Sequence, residues 1–380
     1  MATIPPFQIE IFDKAFIRRG VIGDPIRVAS TPRHNMVEGL DITVASNHVR
    51  IDQLLTKGAR LVCYYRGEQI FSGPVRTISG VGPWMAGYVT ITCESDKRLL
   101  WRMLGYPVPG AALTGQSATE DKRTGAAETV LKGYVTANLA GPSRWPAHQL
   151  ITVATDLARG DTITAAIGMQ PLADVLVPLI DQAGIGFTVK QLPGNGAGLE
   201  LDVYEPTIYP RPLSEDGRTV LSWQWTRSAP TATRAIIGGP EDDVTHLRPW
   251  TRYIDSVETA YSDVIEIMHD AGSEDIAADR LAAGTTAVKE AGEKNGFSVE
   301  LAETASFAYG GVGGVHVGDQ ITVDIGGQTI TDILREAVIN WDRDNGFKAT
   351  PTVGERATPD TQLAGFITKI ARSLRALKAR

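Results

Sequence analysis

Residues 58–79 read GARLVCYYRGEQIFSGPVRTIS. The run LVCYY ends at Arg66-Gly67, and a second run extends from Gln69 to Ser79. Two stretches rich in β-branched and aromatic residues around a glycine-containing turn predict a β-hairpin. The same period recurs on either side. Phe7, Ile9 and Ile11 alternate with Gln8 and Glu10, Leu40, Ile42 and Val44 alternate with Asp41 and Thr43, and Val89, Ile91 and Cys93 form a further run. A period of two puts the apolar members on one face of a half-buried strand. Short strands at this spacing predict a barrel or sandwich for the first hundred residues, closed by a helical stretch from Asp96 to Leu104.

The hairpin has an echo. Gly58-ARLVCYYR-Gly67-EQ-Ile70 and Gly318-DQITVDIG-Gly327-QT-Ile330 superpose at an offset of 260 with three identities. Both show a glycine entry, an alternating strand, a glycine turn and a second strand, which suggests two copies of one β module, one towards each end of the chain.

Between the copies the composition changes. PVPGAALTGQSATEDKRTG (107–125) reads as a linker, followed by a helix over Ala126–Leu139 with Val130, Leu131, Tyr134 and Val135 as its buried stripe. A second helix is expected over Leu172–Ala183, bent or cut short by Pro178. Strands return with LELDVY, VLSWQWTRS and TATRAIIGG, a helical segment covers Asp275–Glu290, and VELAE, ITVDI, QTITDI and EAVINW close the region. Asp342-Arg-Asp-Asn345-Gly346 reads as a hairpin turn with φ > 0 at Asn and Gly, since its Gly falls one place too early for a calcium loop. At the end, Leu363, Ile367, Ile370, Leu374 and Leu377 recur at heptad spacing, with basic residues on the other faces. So short a helix must pack on its own body or on partner chains.

The 380 residues suggest two or three domains, and 43% hydrophobic with 21% charged excludes a disordered or collagen-like chain. MATIPPFQIE has neither a basic nor an apolar stretch, so no secretory signal is expected. No apolar run approaches the roughly 18 residues that span a bilayer, so no membrane insertion is expected. The last twenty residues carry five bases and no acid; taken from a net charge of −7, they leave −12 on the rest. An acidic body does not suit a duplex-binding protein, which needs Lys and Arg gathered on one face. Cys63 and Cys93 sit in strand-like runs and read as small buried hydrophobes, and with six scattered His they make no zinc spacing.

Motifs for chemistry are missing: there is no G-x-x-x-x-G-K-[ST], H-E-x-x-H or G-x-S-x-G. GGVGGVHVGD (310–319) precedes a strand and not a helix N-terminus, and is read as a flexible loop. Glu241-Asp242-Asp243 reads as a solvated acidic loop, and His246 and His269 have no nucleophile beside them. Trp223 and Trp225 share a strand face and are expected in a core; with Trp250 they are the only aromatic cluster that would serve a carbohydrate platform. No catalytic, cofactor or metal residue is predicted, and no enzyme.

The run 58–79, followed by ESDKRLLWRML (94–104), resembles the minor tail proteins that form the tail-tip (baseplate) hub of long, flexible-tailed bacteriophages, especially those of actinobacterial hosts. VGDQITVDIGGQTITDILREAVINWDRDNGFKATPTVG (317–354) is similar to the same family's end pattern, so the resemblance spans most of residues 1–354. The sequence departs from it at 310–314 and after 360. The resemblance implies a mainly β chain with α/β insertions: two tail-tube-like barrels and a C-terminal helix. The first barrel would be 1–108, a mixed insertion 109–205, the second barrel 206–239 plus 291–352, an inserted segment 240–290, and the linker and basic helix 353–380. It further implies a structural homotrimer in the virion tail tip. Such a ring would meet distal tail or tube proteins, the tape-measure protein and tip or receptor-binding proteins, and would let DNA pass. Asp319, Asp324 and Asp332 become candidate lumen acids, and Leu363, Ile367, Ile370, Leu374 and Leu377 the partner-binding helix seam. A hexameric distal tail ring and a tail-associated cell-wall hydrolase are the alternatives.

Overall fold

The computed structural model describes residues 6–140, 151–214, 220–242, 244–272, 276–301, 308–311, 313–325 and 328–354. The chain divides into two compact units, residues 1–223 with 299–353, and residues 224–298 with 354–380. The partner-binding helix assigned to 358–380 lies outside the described residues.

The first unit opens with β1 (Phe7–Phe12), β2 (Arg18–Ile22), β3 (Arg27–Thr31), β4 (Gly39–Ala45), α1 (Ile51–Leu55), β5 (Arg60–Tyr65), β6 (Glu68–Val81), β7 (Tyr88–Glu94) and α2 (Arg98–Arg102). Each alternation read from the sequence holds: Ile9, Ile11, Leu40, Ile42, Val44, Val89, Ile91 and Cys93 are all buried. The β5–β6 turn is a two-residue one, Arg66 at φ 50° and Gly67 at φ 84°, the mirror-image geometry whose twist suits a hairpin. β6 is long because it serves two layers. Its first half pairs with β5, the register shifts between Val75 and Thr77, and its second half pairs with β7. A strand that changes sheets at a bulge makes a corner, so the sheet folds over itself around its apolar face. Cys63 and Cys93 are free and buried there, and burial pushes both thiols up, away from the reactive thiolate.

The insertion holds β8 (Leu104–Gly105), β9 (Asp121–Ala126), α3 (Ala127–Val135), β10 (Thr152–Val153), β11 (Thr162–Ile167), β12 (Gln170–Pro171), α4 (Leu172–Gln182), β13 (Gly186–Gln191) and β14 (Leu199–Tyr204). Val130, Leu131, Tyr134 and Val135 are buried as the stripe predicts. Two readings need correcting. Residues 121–125 are not linker but the start of β9, paired with β11. The buried Tyr134 hydroxyl donates to the carbonyls of Asp121 (2.5 Å) and Ala165 (2.9 Å), one on each of these strands. Nor does Pro178 end α4. It sits on the exposed side of the helix, while Leu172, Leu176 and Ile180 hold both halves in the core.

After β15 (Leu213–Ser214) and β16 (Val220–Ser228) the chain enters the second unit, built from β17 (Arg234–Gly238), β18 (Trp250–Ile254), α5 (Val257–Tyr261), β19 (Glu266–Asp270) and α6 (Ala277–Glu290). β17 lies between β18 and β19, with Ala235, Ile237 and Val288 in a small core under α6. The sequence reading gave β17 to the second barrel; among the described residues its partners are only these two strands.

The chain returns through β20 (Lys294–Leu301), β21 (Gln320–Ile325), β22 (Gln328–Asp342) and β23 (Gly346–Gly354). β22 repeats the design of β6. It pairs first with β21, shifts register between Leu334 and Glu336, and then pairs with β23. Strand order in the large sheet is β16-β20-β23-β22-β3-β4-β7-β6-β5-β1-β2. In it β3, β4, β7 and β6 of one module correspond to β16, β20, β23 and β22 of the other, in space and along the chain. The offset of 260 seen in the sequence is therefore a topological repeat. At the β22–β23 turn only Gly346 has φ > 0 (75°), not Asn345: residues 343–345 form a three-residue loop whose amides at 344 and 345 bond to the Asp342 carboxylate (2.9 and 2.5 Å).

Arg60 on β5 anchors the insertion to the first module. Its guanidinium donates to the fully buried Asp96 (2.5 Å) and to Gln191 on β13 (3.3 Å), and Ser72 completes the group by donating to Asp96 (2.9 Å). Burial pushes the Asp96 carboxyl up against the pull of Arg60. Arg60→Leu is expected to cost about 3–5 kcal/mol by leaving that carboxylate unpaired, and Arg60→Leu/Asp96→Leu to recover most of the loss. Urea-unfolding midpoints of the two variants and the wild type check this.

Candidate functional site

Three chain segments meet at residues 32–37. Asn35, fully buried at φ 47°, donates through Nδ2 to Asp181 on α4 (2.5 Å) and to the Ile185 carbonyl (2.9 Å), and accepts from the Phe187 amide (2.9 Å). Asn tolerates the left-handed region better than most residues, and its amide supplies donor and acceptor together. His34 Nδ1 lies 2.8 Å from the Tyr204 hydroxyl, and its own amide donates to the Arg335 carbonyl (2.7 Å). Arg335 in turn donates to Asp181 (3.1 Å), while Arg33 pairs with Glu336 (2.5 Å). Burial raises the Asp181 carboxyl, but hydrogen bonds from His34 and Asn35 and the Arg335 charge outweigh it and hold it low. This segment therefore clasps the insertion and the second module to the first.

Beside the clasp lies a cleft of about 670 Å³, with Glu38, Lys97, Tyr204 and Asp319 in its wall. Lys97, almost fully buried, donates to Glu38 and to the Arg33 carbonyl (2.7 Å each). The glycine-rich segment, expected as a flexible loop, is packed at this rim. Gly310 has φ 70°, and a Cβ there would stand 2.9 Å from the Tyr65 ring, so glycine is needed on both counts. Tyr309 and Val315 are buried. His316 fastens the segment: its Nε2 lies 2.7 Å from Glu68, and its amide donates to Asp319 (2.7 Å). No local motif announces this, because Glu68 and His316 are far apart in sequence.

The three candidate lumen acids are not brought together. Asp319 is part of the His316 turn and also accepts from Thr207 (2.6 Å). In the β21–β22 ladder Asp324 stands opposite Thr329 and Asp332 opposite Ile321, so these two point to opposite faces. The Asp242 carboxylate accepts from the Val244 (3.0 Å) and Thr245 (2.7 Å) amides, and His246 lies exposed beside Glu241. Trp223 is 40% exposed, not in a core as expected, and Trp250 is 56% exposed; the Trp225 side chain lies outside the described residues. Among the described residues no three His, Cys, Asp or Glu side chains group as metal ligands, and no helix is long and apolar enough to cross a membrane.

What stands out instead is the sheet. β22 of the second module pairs antiparallel with β3 of the first, Ile339 opposite Ser30 and Asp342 opposite Arg27. The counterpart strands, β16 at the end of the order and the outer half of β6, have no such partner among the described residues. The stretch from Thr77 to Cys93 has no charged residue, whereas protected strand edges usually carry one. Val81 (54%), Trp84 (56%) and Met85 (77%) are exposed on it.

The family model for Siphovirus ReqiPepy6 Gp37-like proteins matches residues 8–355. None of the curated proteins matches the sequence. Among solved structures the chain is similar to the 43 kDa tail protein of prophage MuSo2 from Shewanella oneidensis, with a TM-score of 0.58 and 13% identity, covering 93% of this chain and 99% of that one. It is also similar to the prophage tail protein gp18 from Listeria monocytogenes EGD-e (TM-score 0.54, 10% identity, 96% and 99% covered). The tail protein from Neisseria meningitidis MC58 matches comparably (0.54, 11%, 92% and 96%). At these identities the likeness is one of fold, and the fold is that of phage tail proteins.

The Asp319 hydrogen bond and the nearby Glu68 raise the His316 pKa above its ordinary 6.5. A raised folded value means that the link is at full strength below the unfolded pKa and is lost as pH rises through the folded one. His316→Gln should therefore be less stable than the wild type at pH 6, by at most about 1 kcal/mol for so exposed a pair. The gap should close towards pH 9. Paired urea midpoints across that range test it.

Proposed function

This chain belongs to the Siphovirus ReqiPepy6 Gp37-like family, and from that premise we propose that it is the structural tail-tip, or baseplate, hub of a siphophage. Three copies form a ring that joins the tail tube to tip and receptor-binding components and lets DNA through. Distal tail or tube proteins and the tape-measure protein are its neighbours on this reading.

The observation that carries it is the junction of β3 with β22. Within one chain, β3 of the first module completes the outer edge of β22 in the second. β6 is the counterpart of β22 and β16 that of β3, so the same junction between copies pairs β6 of one with β16 of the next. Such head-to-tail pairing is heterologous, and it closes into a ring when the rotation allows. Three copies of the eight strands from β16 to β6, at about 4.8 Å per strand, give a circumference of about 115 Å and a span of about 37 Å between opposite backbones. A B-form duplex fits within that after side chains are added.

Unpaired edge backbone and uncharged side chains make the outer half of β6 sensitive to charge. Ser79→Lys/Val81→Lys should leave circular dichroism unchanged and convert a three-copy particle into a monomer in light scattering. A three-copy mass in the variant overturns the β6–β16 seam, and six copies in the wild type favour a distal tail ring. The helix seam at Leu363, Ile367, Ile370, Leu374 and Leu377 is proposed to bind a tail partner. Deleting residues 358–380 should keep the three-copy mass but impair tail assembly, and normal assembly sinks that role.

A further inference from the structure

The three-stranded sheet of the second unit has α6 on one face and an exposed other face. Ala235 and Ile237 of β17 lie in the core under α6, so Arg234, Ile236 and Gly238 alternate onto the open side. The ladders flank Gly238 with Trp250 and Asp270, and Ile236 with Arg252 and Met268. Trp250 is 56% and Met268 63% exposed.

Trp250 and Arg248 converge over Gly238. A Cβ at 238 would stand 3.1 Å from the indole Cζ3 and 3.3 Å from the Arg248 Cζ, so it is the missing side chain that lets both groups lie against the strand. The guanidinium carbon is 5.8 Å from the indole centroid. It is held there from two sides, donating through Nε to the Gly239 carbonyl (2.9 Å) and through Nη2 to the Asp270 carboxylate. Gly272, also exposed, leaves the outer side of Asp270 clear.

We propose that this patch binds neutral saccharide chains, the Trp250 indole lying under one pyranose ring and Arg248 and Asp270 bonding its hydroxyls. The π-face of an indole is negative and attracts the axial C–H bonds of a sugar ring, while its area is apolar. A carboxylate has about four lone-pair sites, so Asp270 can hold Arg248 and still accept from a hydroxyl. Sugar hydroxyls replace the water around the Arg248–Asp270 pair with hydrogen bonds of the same kind, whereas an apolar protein surface would strip that water without return. Residues 224–298 carry 13 acids and 7 bases, a net −6 that disfavours nucleic acids and other polyanions. Arg252, exposed on the same face, adds a donor beyond the indole. The patch lies within one chain, so the inference does not rest on the ring reading. Several copies on one particle would add weak single contacts into firm attachment to a polysaccharide surface.

Saturation-transfer NMR on the full chain, with cellohexaose, mannohexaose and galactohexaose as probes in turn, tests the site. At least one sugar should give signals, strongest at the ring C–H protons. For that sugar Trp250→Ala should abolish them with circular dichroism unchanged, and Asp270→Asn should weaken binding about fivefold. Leu113→Ala, at an exposed apolar position in the first unit, should change nothing. Binding should be equal at low and high salt, and a short DNA duplex should not displace the sugar. Silence with all three sugars, or binding that survives Trp250→Ala, overturns the site. Loss at high salt or displacement by duplex overturns it too, in favour of an anionic polymer. The copy number of the particle is measured separately, so these results leave the hub reading untouched.

Discussion

Four residue pairs between Arg27–Ser30 and Ile339–Asp342 turn two β modules into one sheet. The pairing brings chain segments more than 300 residues apart together, so its loop-closure cost must be met by contacts around it. They are present. His34 and Ala337 extend the ladder by backbone bonds at 2.7 and 3.1 Å, Arg33 reaches Glu336, and Asn35 locks the same segment onto the insertion. Buried polar groups of this kind add less to stability than apolar packing does, but they fix geometry. Each donor must find its acceptor, and an arrangement displaced by a residue would leave several of them buried and unpaired.

In the proposed ring that fixing would matter, because a ring tolerates little angular error. If within-chain and between-chain junctions share one geometry, the rotation set by β3 on β22 recurs at every seam, and any strain in it accumulates around the closure. The clasp at residues 32–37 and the Arg60–Asp96 group both sit where the first module meets something else, and not in the middle of a core.

How much of this the sequence showed follows from the range of the interactions. Period-two patterning at Ile9, Ile42 and Ile91 is local and reads directly, as do the stripe at Val130–Val135 and the Arg66-Gly67 turn. The repeat shows in the sequence through only three identities: Gly58 and Gly67 hold left-handed φ values (85° and 84°) that favour glycine, while the strand positions need only their apolar alternation. The strand at Asp121–Ala126 was hidden because its residues are polar or small, and it is ordered by a partner strand and the Tyr134 hydroxyl from outside the segment. The clasp and the His316 link have no local signature at all: His34, Tyr204 and Arg335 lie in three different regions of the chain. Asp324 and Asp332 lie on two strands of one hairpin, and only the register, with Asp332 opposite the buried Ile321, shows that they take opposite faces.

The two modules differ most at one place. Between β3 and β4 the first module has the short clasp; between the counterpart strands β16 and β20 the second carries residues 229–293 of the inserted unit. An insertion at this connection leaves the strand order unchanged, since β16 and β20 remain neighbours. It does, however, remove the equivalence of the two connections, while the repeated strands keep theirs. A ring of such chains would look nearly sixfold along its strands and threefold wherever the insertions stand. On the proposed hub reading that is the asymmetry an adaptor needs to join a six-fold tube to a three-fold tip, and it follows from placing one connection's added length in only one of two repeats.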